Sequence, residues 1–366
     1  MFEKVDILKI KIDDIPVGRM VLSDNNLCVF EYSDEFLSGG FSISPFYLPL
    51  RKGVFTSRYE PFGGVFGVFN DSLPDGWGRL LIDRYLRAKG INPEKITVLD
   101  RLAIVGSNGM GALNYYPDHH IDIPTENDDL DFIYDEVRKI LSEQGDIVDI
   151  ERIAAKGGSS GGARPKVFIR YNNESWIVKF RSSFDPENIG ETEYLYSLIA
   201  RKCGIEMAET ELLSGKYFAT KRFDREGETK VHMHSASGLL YADFRIPSLD
   251  YTDLIKAVFV LTKSMKEVYK LFRLMVFNVL TGNKDDHSKN FSFLFKEGSW
   301  VLSPAYDLVP SKGINGNHTT TVNGKGNPNF EDIISVAGNT GIDIKIAKEI
   351  YEDVYYNCKE IRKKDL

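Results

Sequence analysis

The segment NKDDHSKNFSFLF, residues 283 to 295, followed by WVLSPAYDL, 300 to 308, holds the side chains best suited to chemistry in this 366-residue chain. An apolar helical stretch delivers the chain to a polar loop carrying Asp285, His287, Lys289 and Asn290, a short hairpin follows, and Asp307 sits at its end. That order suits phosphoryl transfer, in which the protein chiefly positions groups and neutralises phosphate charge. Asp285 would hold an attacking hydroxyl and accept its proton. Asn290 and Asp307 would offer hard oxygens to Mg2+, an ion that takes one or two carboxylates and completes its shell with phosphate and water. The competing account of the same loop is a set of helix caps and an Asx turn.

Two upstream features could serve the same chemistry. Lys179 ends the apolar strand Trp176 to Phe180, where an ammonium costs desolvation unless an anion meets it. A nucleotide phosphate would do so, as would the carboxylate of Glu193 in the next helix; a solvated edge lysine is the alternative. The loop GGSSGGARPK, 157 to 166, lacks both the GK[ST] ending of a Walker A loop and the GxGxxG spacing, which argues against P-loop and dinucleotide sites. Its glycines still permit close backbone approach to a phosphate, with Ser159 and Ser160 at the crest, and a plain surface loop is the alternative. His232 and His234 alternate on a strand-like run and would share a face; with no third ligand, a surface or substrate-side role is preferred over a metal pair.

The elements that must position these groups follow from periodicity. Strands are expected over Val5 to Ile12 and Leu27 to Tyr32, and a Gly-rich strand pair around Val105 to Tyr116. A helix opens at Asp75-Gly76-Trp77 with Leu80, Leu81, Arg84, Tyr85 and Ala88 on one face. The proline- and acid-rich stretch 117 to 129 reads as a connection, and a helix on Leu130, Ile133, Tyr134, Val137, Ile140 and Leu141 stops at Gly145. From Lys156 come loop, hairpin and a helix starting near Glu191 with Tyr194, Leu195, Leu198 and Ile199 inward; further strands lie near Glu211 to Leu213 and Tyr217 to Phe223. After about residue 250 the period is 3.6, with a strong helix from 265 to Leu280 on Val268, Leu271, Phe272, Met275, Val276 and Val279, a stop at Gly282, and a last helix over 344 to 362.

Composition sets the class. The chain is 42% apolar, enough for two or three cored domains, and its apolar runs are too short and too interrupted by charge for a membrane span or signal peptide. Forty-six basic against 53 acidic residues leave a net charge of −7, which disfavours autonomous binding to a phosphate backbone. Cys28, Cys203 and Cys358 are odd in number and form no CxxC, so disulfide scaffolds and thiolate zinc sites drop out and a cytoplasmic protein is expected.

With these pieces assembled, the sequence resembles the HipA family of serine/threonine kinases, toxins of bacterial type II toxin–antitoxin modules. The resemblance rests on FNDSLPDGWGRLLIDRYL (69 to 86), GARPK (162 to 166), WIVKF, ETEY, KRFDR (221 to 225), DDHSKNFSF and SPAYDL. It implies an α+β, two-lobed protein-kinase-like fold: an N-terminal β-rich subdomain over 1–117, a connection with a helix over 118–145, the kinase N-lobe and lobe connection over 146–249, and a helical C-lobe over 250–366. It implies ATP and Mg2+, with Asp285 as catalytic base, Asn290 and Asp307 as metal ligands, Lys179 as the phosphate lysine and Glu193 as the acidic residue of the adjoining helix. Lys221 and Phe223 would lie near the adenine, and Gly161, Gly162 and Lys166 near the phosphates. His287 would brace the loop and Lys289 help neutralise the transferred phosphate. Ser159, seven residues before Lys166, would be autophosphorylated, with Ser160 as runner-up. The implied partners are a helix-turn-helix HipB-like antitoxin, which would supply the DNA contacts, and a protein substrate, an aminoacyl-tRNA synthetase foremost. The stretch KVHMHSASGLLYADF, 230 to 244, departs from the acidic, glutamine-bearing family segment. The rival readings are a small-molecule phosphotransferase of the aminoglycoside-kinase kind and a catalytically silent co-repressor.

Overall fold

The computed structural model describes residues 4–122, 129–142 and 149–362. The acidic centre of the 117 to 129 connection, the Gly145 stop and the boundary at 145/146 lie outside the described residues. The chain divides into two compact units, Met1–Gly190 with Glu211–Met233 and Glu191–Thr210 with His234–Leu366.

Two larger sheets build the first unit, beside a two-stranded ribbon of Arg225–Glu226 and Thr229–Lys230. Strands β1 (Leu8–Ile12), β2 (Ile15–Leu22), β3 (Cys28–Tyr32), β4 (Val54–Thr56) and β5 (Leu113–Tyr116) form a sheet in the order β4-β3-β2-β1-β5. Period-two patterning decides its inner face: Leu8 and Ile10 of β1, and Cys28, Phe30 and Tyr32 of β3, are buried. The expected strand pair around Val105 is instead a helix, Val98–Val105, followed by the single strand β5. Its start carries a capping box, in which the Thr97 hydroxyl accepts the Asp100 N–H and the Asp100 carboxylate accepts the Thr97 N–H.

The second sheet runs β6-β7-β9-β8, from β6 (Lys166–Tyr171), β7 (Glu174–Lys179), β8 (Thr210–Leu213) and β9 (Tyr217–Lys221). Its core draws on a helix from the amino-terminal segment. Trp77, Leu81, Ile82 and Leu86 of Gly76–Ala88 pack with Ile133, Val137, Ile140, Ile153, Val167 and Val178. The buried stripe of that helix is therefore offset from the expected one, with Leu80, Arg84 and Tyr85 half-buried and Ala88 exposed. A further helix, Ile150–Gly157, takes up Lys156 and Gly157, which the sequence placed in the loop.

The second unit is built on helices Ile189–Lys202, Tyr251–Thr262, Met265–Thr281, Phe330–Asn339 and Ile344–Asn357. Met265–Thr281 buries all six residues of its expected face and ends at Gly282, whose φ of +69° is a left-handed cap that glycine adopts without Cβ strain. In Ile189–Lys202 the inward residues are Glu193, Tyr196, Ser197, Ile199 and Ala200. Leu195 and Leu198, expected inside, are 42% and 38% exposed. The last helix stops at Asn357, so Ile361 lies beyond it.

Candidate active site

The loop after Gly282 is held from below by a buried polar network. Asn283 donates its Nδ2 to Asn278 Oδ1 (3.0 Å), Asn278 donates its Nδ2 to the Tyr251 hydroxyl (2.9 Å), and that hydroxyl donates to Asp286 Oδ2 (2.9 Å). His318 Nδ1 donates to the same oxygen at 2.8 Å, while the N–H groups of Thr319 and Thr320 donate to Oδ1 at 2.9 and 3.2 Å. Because a carboxylate only accepts, His318 carries its proton on Nδ1. Burial and the Asp286 charge push the Tyr251 hydroxyl well above its usual range, so it stays a donor.

The two adjacent acids are thereby divided. Asp286 is 1% exposed with both oxygens engaged, and Asp285 is exposed. The carbonyl of Asp285 accepts the Asn290 Nδ2–H at 2.7 Å, and the Asn290 N–H donates to the His287 carbonyl at 2.8 Å. Pinning the amide nitrogen leaves Oδ1 as the hard-oxygen end that Asn290 can offer a cation.

The hairpin Ser292–Lys296 and Ser299–Leu302 returns the chain to this loop. Tyr306 fastens it: its hydroxyl donates to the Lys289 carbonyl at 2.6 Å and lies 2.6 Å from Ser292 Oγ. Asp307 therefore follows a residue bonded to the one before Asn290. Its φ of +58° lies in the left-handed region, a conformation Asp tolerates better than most residues and one that aims its carboxylate by backbone shape. Lys289 holds its ammonium over the Phe244 ring, 4.3 Å from the centroid. The bracing expected of His287 comes from its neighbour Asp286; the buried His287 Nδ1 has no hydrogen-bond partner among the described residues, and the ring sits beside Phe244.

The donor set fits Mg2+. Among the described residues no three His, Cys, Asp or Glu side chains gather as a metal site. One amide oxygen and one carboxylate are what this ion takes when phosphate oxygens and water fill the remaining positions.

In the first unit, Lys179 pairs across the strands with Lys166, and its ammonium lies over the Phe218 ring, 5.6 Å from the centroid. Lys166 Nζ donates to the Gly161 carbonyl at 2.6 Å. Ser159 and Ser160 are both buried, donating to the carbonyls of Asn108 (2.9 Å) and Gly157 (2.6 Å). Lys221 spends its ammonium on Glu174 at 2.8 Å, and Phe223 is half-buried. The charged residues of the KRFDR run form a structural cluster: Asp224 accepts from Arg222, Arg225 and the Gly111 N–H, and both arginines donate to the Gly109 carbonyl. Burial alone would raise the Asp224 carboxyl; the two guanidinium groups outweigh it and hold the group at about 2. His232 is buried, its Nε2 2.9 Å from the Ile43 carbonyl, and in the second unit His234 is buried as well, so of the surface or substrate-side role expected of them the surface placement does not hold. In that unit Glu193 is 3% exposed.

Asp286, His318, Tyr251 and Tyr306 escaped the sequence reading. The Asp285-Asp286 doublet was the available signal, since two neighbouring acids on a sharp loop seldom face the same way.

The sequence model of the HipA N-terminal domain matches residues 8–116, and that of the HipA-like C-terminal domain matches 158–361. Two Sinorhizobium fredii proteins named as candidate kinases are similar. Y4dM is 26% identical over 347 residues, 87% of this chain and 81% of that protein. Y4mE is 25% identical over 344 residues, 83% and 77%. The solved structure of HipA from the Shewanella oneidensis toxin–antitoxin system, in complex with HipB and operator DNA, superposes with a TM-score of 0.72 at 17% identity. It covers 97% of this chain and 89% of that one. That likeness is one of fold, and the α+β, kinase-like architecture expected from the sequence holds. Among the described residues no helix is long and apolar enough to cross a membrane.

Proposed function

Because this chain belongs to the HipA family, we propose that it is an ATP- and Mg2+-dependent protein serine/threonine kinase, the toxin of a toxin–antitoxin module. The observation that carries the reading is the division of labour at 285–290: an exposed Asp285 backed by a saturated Asp286, with the Asn290 amide nitrogen tied to the Asp285 carbonyl. Asp285 orients the acceptor hydroxyl and takes its proton. Asn290 and Asp307 hold Mg2+, which supplies charge neutralisation at the phosphates. Lys289 adds a cation beside them. In the first unit, Lys179, Lys166, Gly161 and Gly162 serve the nucleotide phosphates, and Lys221 and Phe223 the adenine; in the second, Glu193 is the helix acid.

Two further parts of the proposal concern partners. A HipB-like helix-turn-helix antitoxin would bring this acidic chain to DNA, as suits a relative of a protein solved with HipB and operator DNA. The substrate would be a translation factor, an aminoacyl-tRNA synthetase foremost. The aminoglycoside-kinase alternative fares poorly. The open cavity of about 520 Å³ lined by Gly282, Lys284, Pro310, Ser311, Lys312 and Gly316 carries two ammonium groups and no carboxylate among its lining residues to receive a cationic sugar.

The test is incubation with Mg·ATP followed by peptide mass spectrometry, with Asp285→Asn as control. Phosphate on Ser159 in the wild type and not in the variant is expected. The buried Ser159 hydroxyl must first leave Asn108, so slow labelling fits the reading. Equal labelling of the two proteins, or no transfer to loop or substrate by either, would refute it.

A further inference from the structure

Asp75 stands at the N-cap position of the Gly76–Ala88 helix in extended backbone, φ −121° and ψ 179°. An aspartate there ordinarily accepts an N–H from the first turn of its own helix. This one makes no such bond. Its Oδ1 instead accepts the N–H of Gly162, in the Gly-rich loop 87 residues further along the chain.

The surroundings are shaped to seat the loop at that spot. The Trp77 N–H donates to the Gly162 carbonyl at 3.0 Å, and Trp77 Nε1 donates to the Lys166 carbonyl at 3.0 Å. Gly76 has a φ of +37°, and a Cβ on it would lie 2.6 Å from the Gly162 carbonyl oxygen; a Cβ on Gly78 would lie 2.3 Å from that of Ser160. Both glycines are needed for so close an approach. Gly162 itself is exposed, so its N–H is open to a competing anion.

Backbone N–H groups of a glycine-rich turn are what phosphate oxygens use. A carboxylate oxygen offers the same acceptor and the same sign of charge. We propose that Asp75 is a built-in competitor for nucleotide: its carboxylate takes the place of a phosphate oxygen on the Gly162 N–H, and ATP binds only by displacing it. This rests on the kinase reading, which assigns Gly162 to the phosphates. It also gives the buried loop serines a release step, since displacement of Asp75 frees the loop end nearest to them. The opposing account, in which Asp75 merely holds the loop in its binding shape, predicts the reverse effect of removing it.

Calorimetric titration of Mg·ATP into the full chain separates the accounts, using wild type, Asp75→Ala and Asp75→Asn, with thermal melting to check each fold. Removing the competitor should tighten binding about tenfold in Asp75→Ala, equivalent to ~1.4 kcal/mol. Asp75→Asn, which keeps an oxygen acceptor without the charge, should fall between. The near-isosteric Asn variant decides the matter if the Ala variant melts early. Binding that is unchanged or weaker in folded variants, with a wild type that binds, overturns the competitor and leaves the kinase reading standing. No binding by any of the three proteins overturns both.

Discussion

Replacing Asp285 and Asp286 in turn should give crossed phenotypes. Asp286→Ala strands four donors in the interior, the Tyr251 hydroxyl, His318 Nδ1 and the N–H groups of Thr319 and Thr320. At the low end of ~1 kcal/mol for each buried donor left unsatisfied, the loss is ~4 kcal/mol, matching the ~3–5 kcal/mol typical of breaking a buried charged network. In a unit of this size each kcal/mol lowers the midpoint by ~2–4 °C, so calorimetry should show the transition falling by ~8–16 °C. Asp285→Asn is a near-isosteric change of an exposed side chain, so stability should stay within ~0.5 kcal/mol. Phosphoryl transfer should fall instead, by the ~100- to 10,000-fold that a positioned base contributes. An Asp286→Ala protein that melts with the wild type, or an Asp285→Asn protein that melts many degrees lower, would refute the division of labour between the two acids.

Two further outcomes follow from the same geometry. Asp307→Asn keeps a residue that tolerates positive φ while removing the carboxylate, so it should melt like the wild type, need more Mg2+ in a titration of phosphotransfer, and lose ~100-fold in rate. An unaltered Mg2+ requirement would remove Asp307 from the metal site. Asp224, held at about 2 against ~3.9 in the unfolded chain, stabilises the fold fully above about pH 5 and loses that contribution as pH falls toward 2. The loss is ~2 kcal/mol, read as a falling urea midpoint between pH 5 and 2.5. The slope should weaken in Asp224→Asn, and a midpoint flat with pH would refute it.

The sequence carried the site where chemistry constrains residue type and spacing. The helix to Thr281, the Gly282 stop, the hairpin and the five-residue step from Asp285 to Asn290 are all where periodicity and turn chemistry put them. It carried much less where tertiary neighbours choose among equivalent faces. WGRLLIDRYLRA has apolar residues on overlapping stripes, and only packing against Ile153, Val167 and Val178 selects Leu81, Ile82 and Leu86. In Ile189–Lys202 the buried set includes Glu193 and Ser197 at the expense of Leu195 and Leu198, a choice that polarity counting inverts. The Val98–Val105 helix was missed in favour of strands because the nearby glycines outweighed the Thr97-x-x-Asp100 capping box that marks its start. Asp75 shows the opposite limit, because its N-cap position was evident and its partner Gly162 was not.

The chain passes between its two units three times, at 190/191, 210/211 and 233/234. No single cut by a protease can release either unit as one continuous fragment. During synthesis the first unit lacks β8 and β9 until residue 221 has emerged from the ribosome and is complete only at 233, by which time the Ile189–Lys202 helix is still waiting for the sequence that will bury it. Completion of the two units is therefore a late event, and the Gly-rich loop at 157 to 166 exists well before the acids at 285 and 307 do.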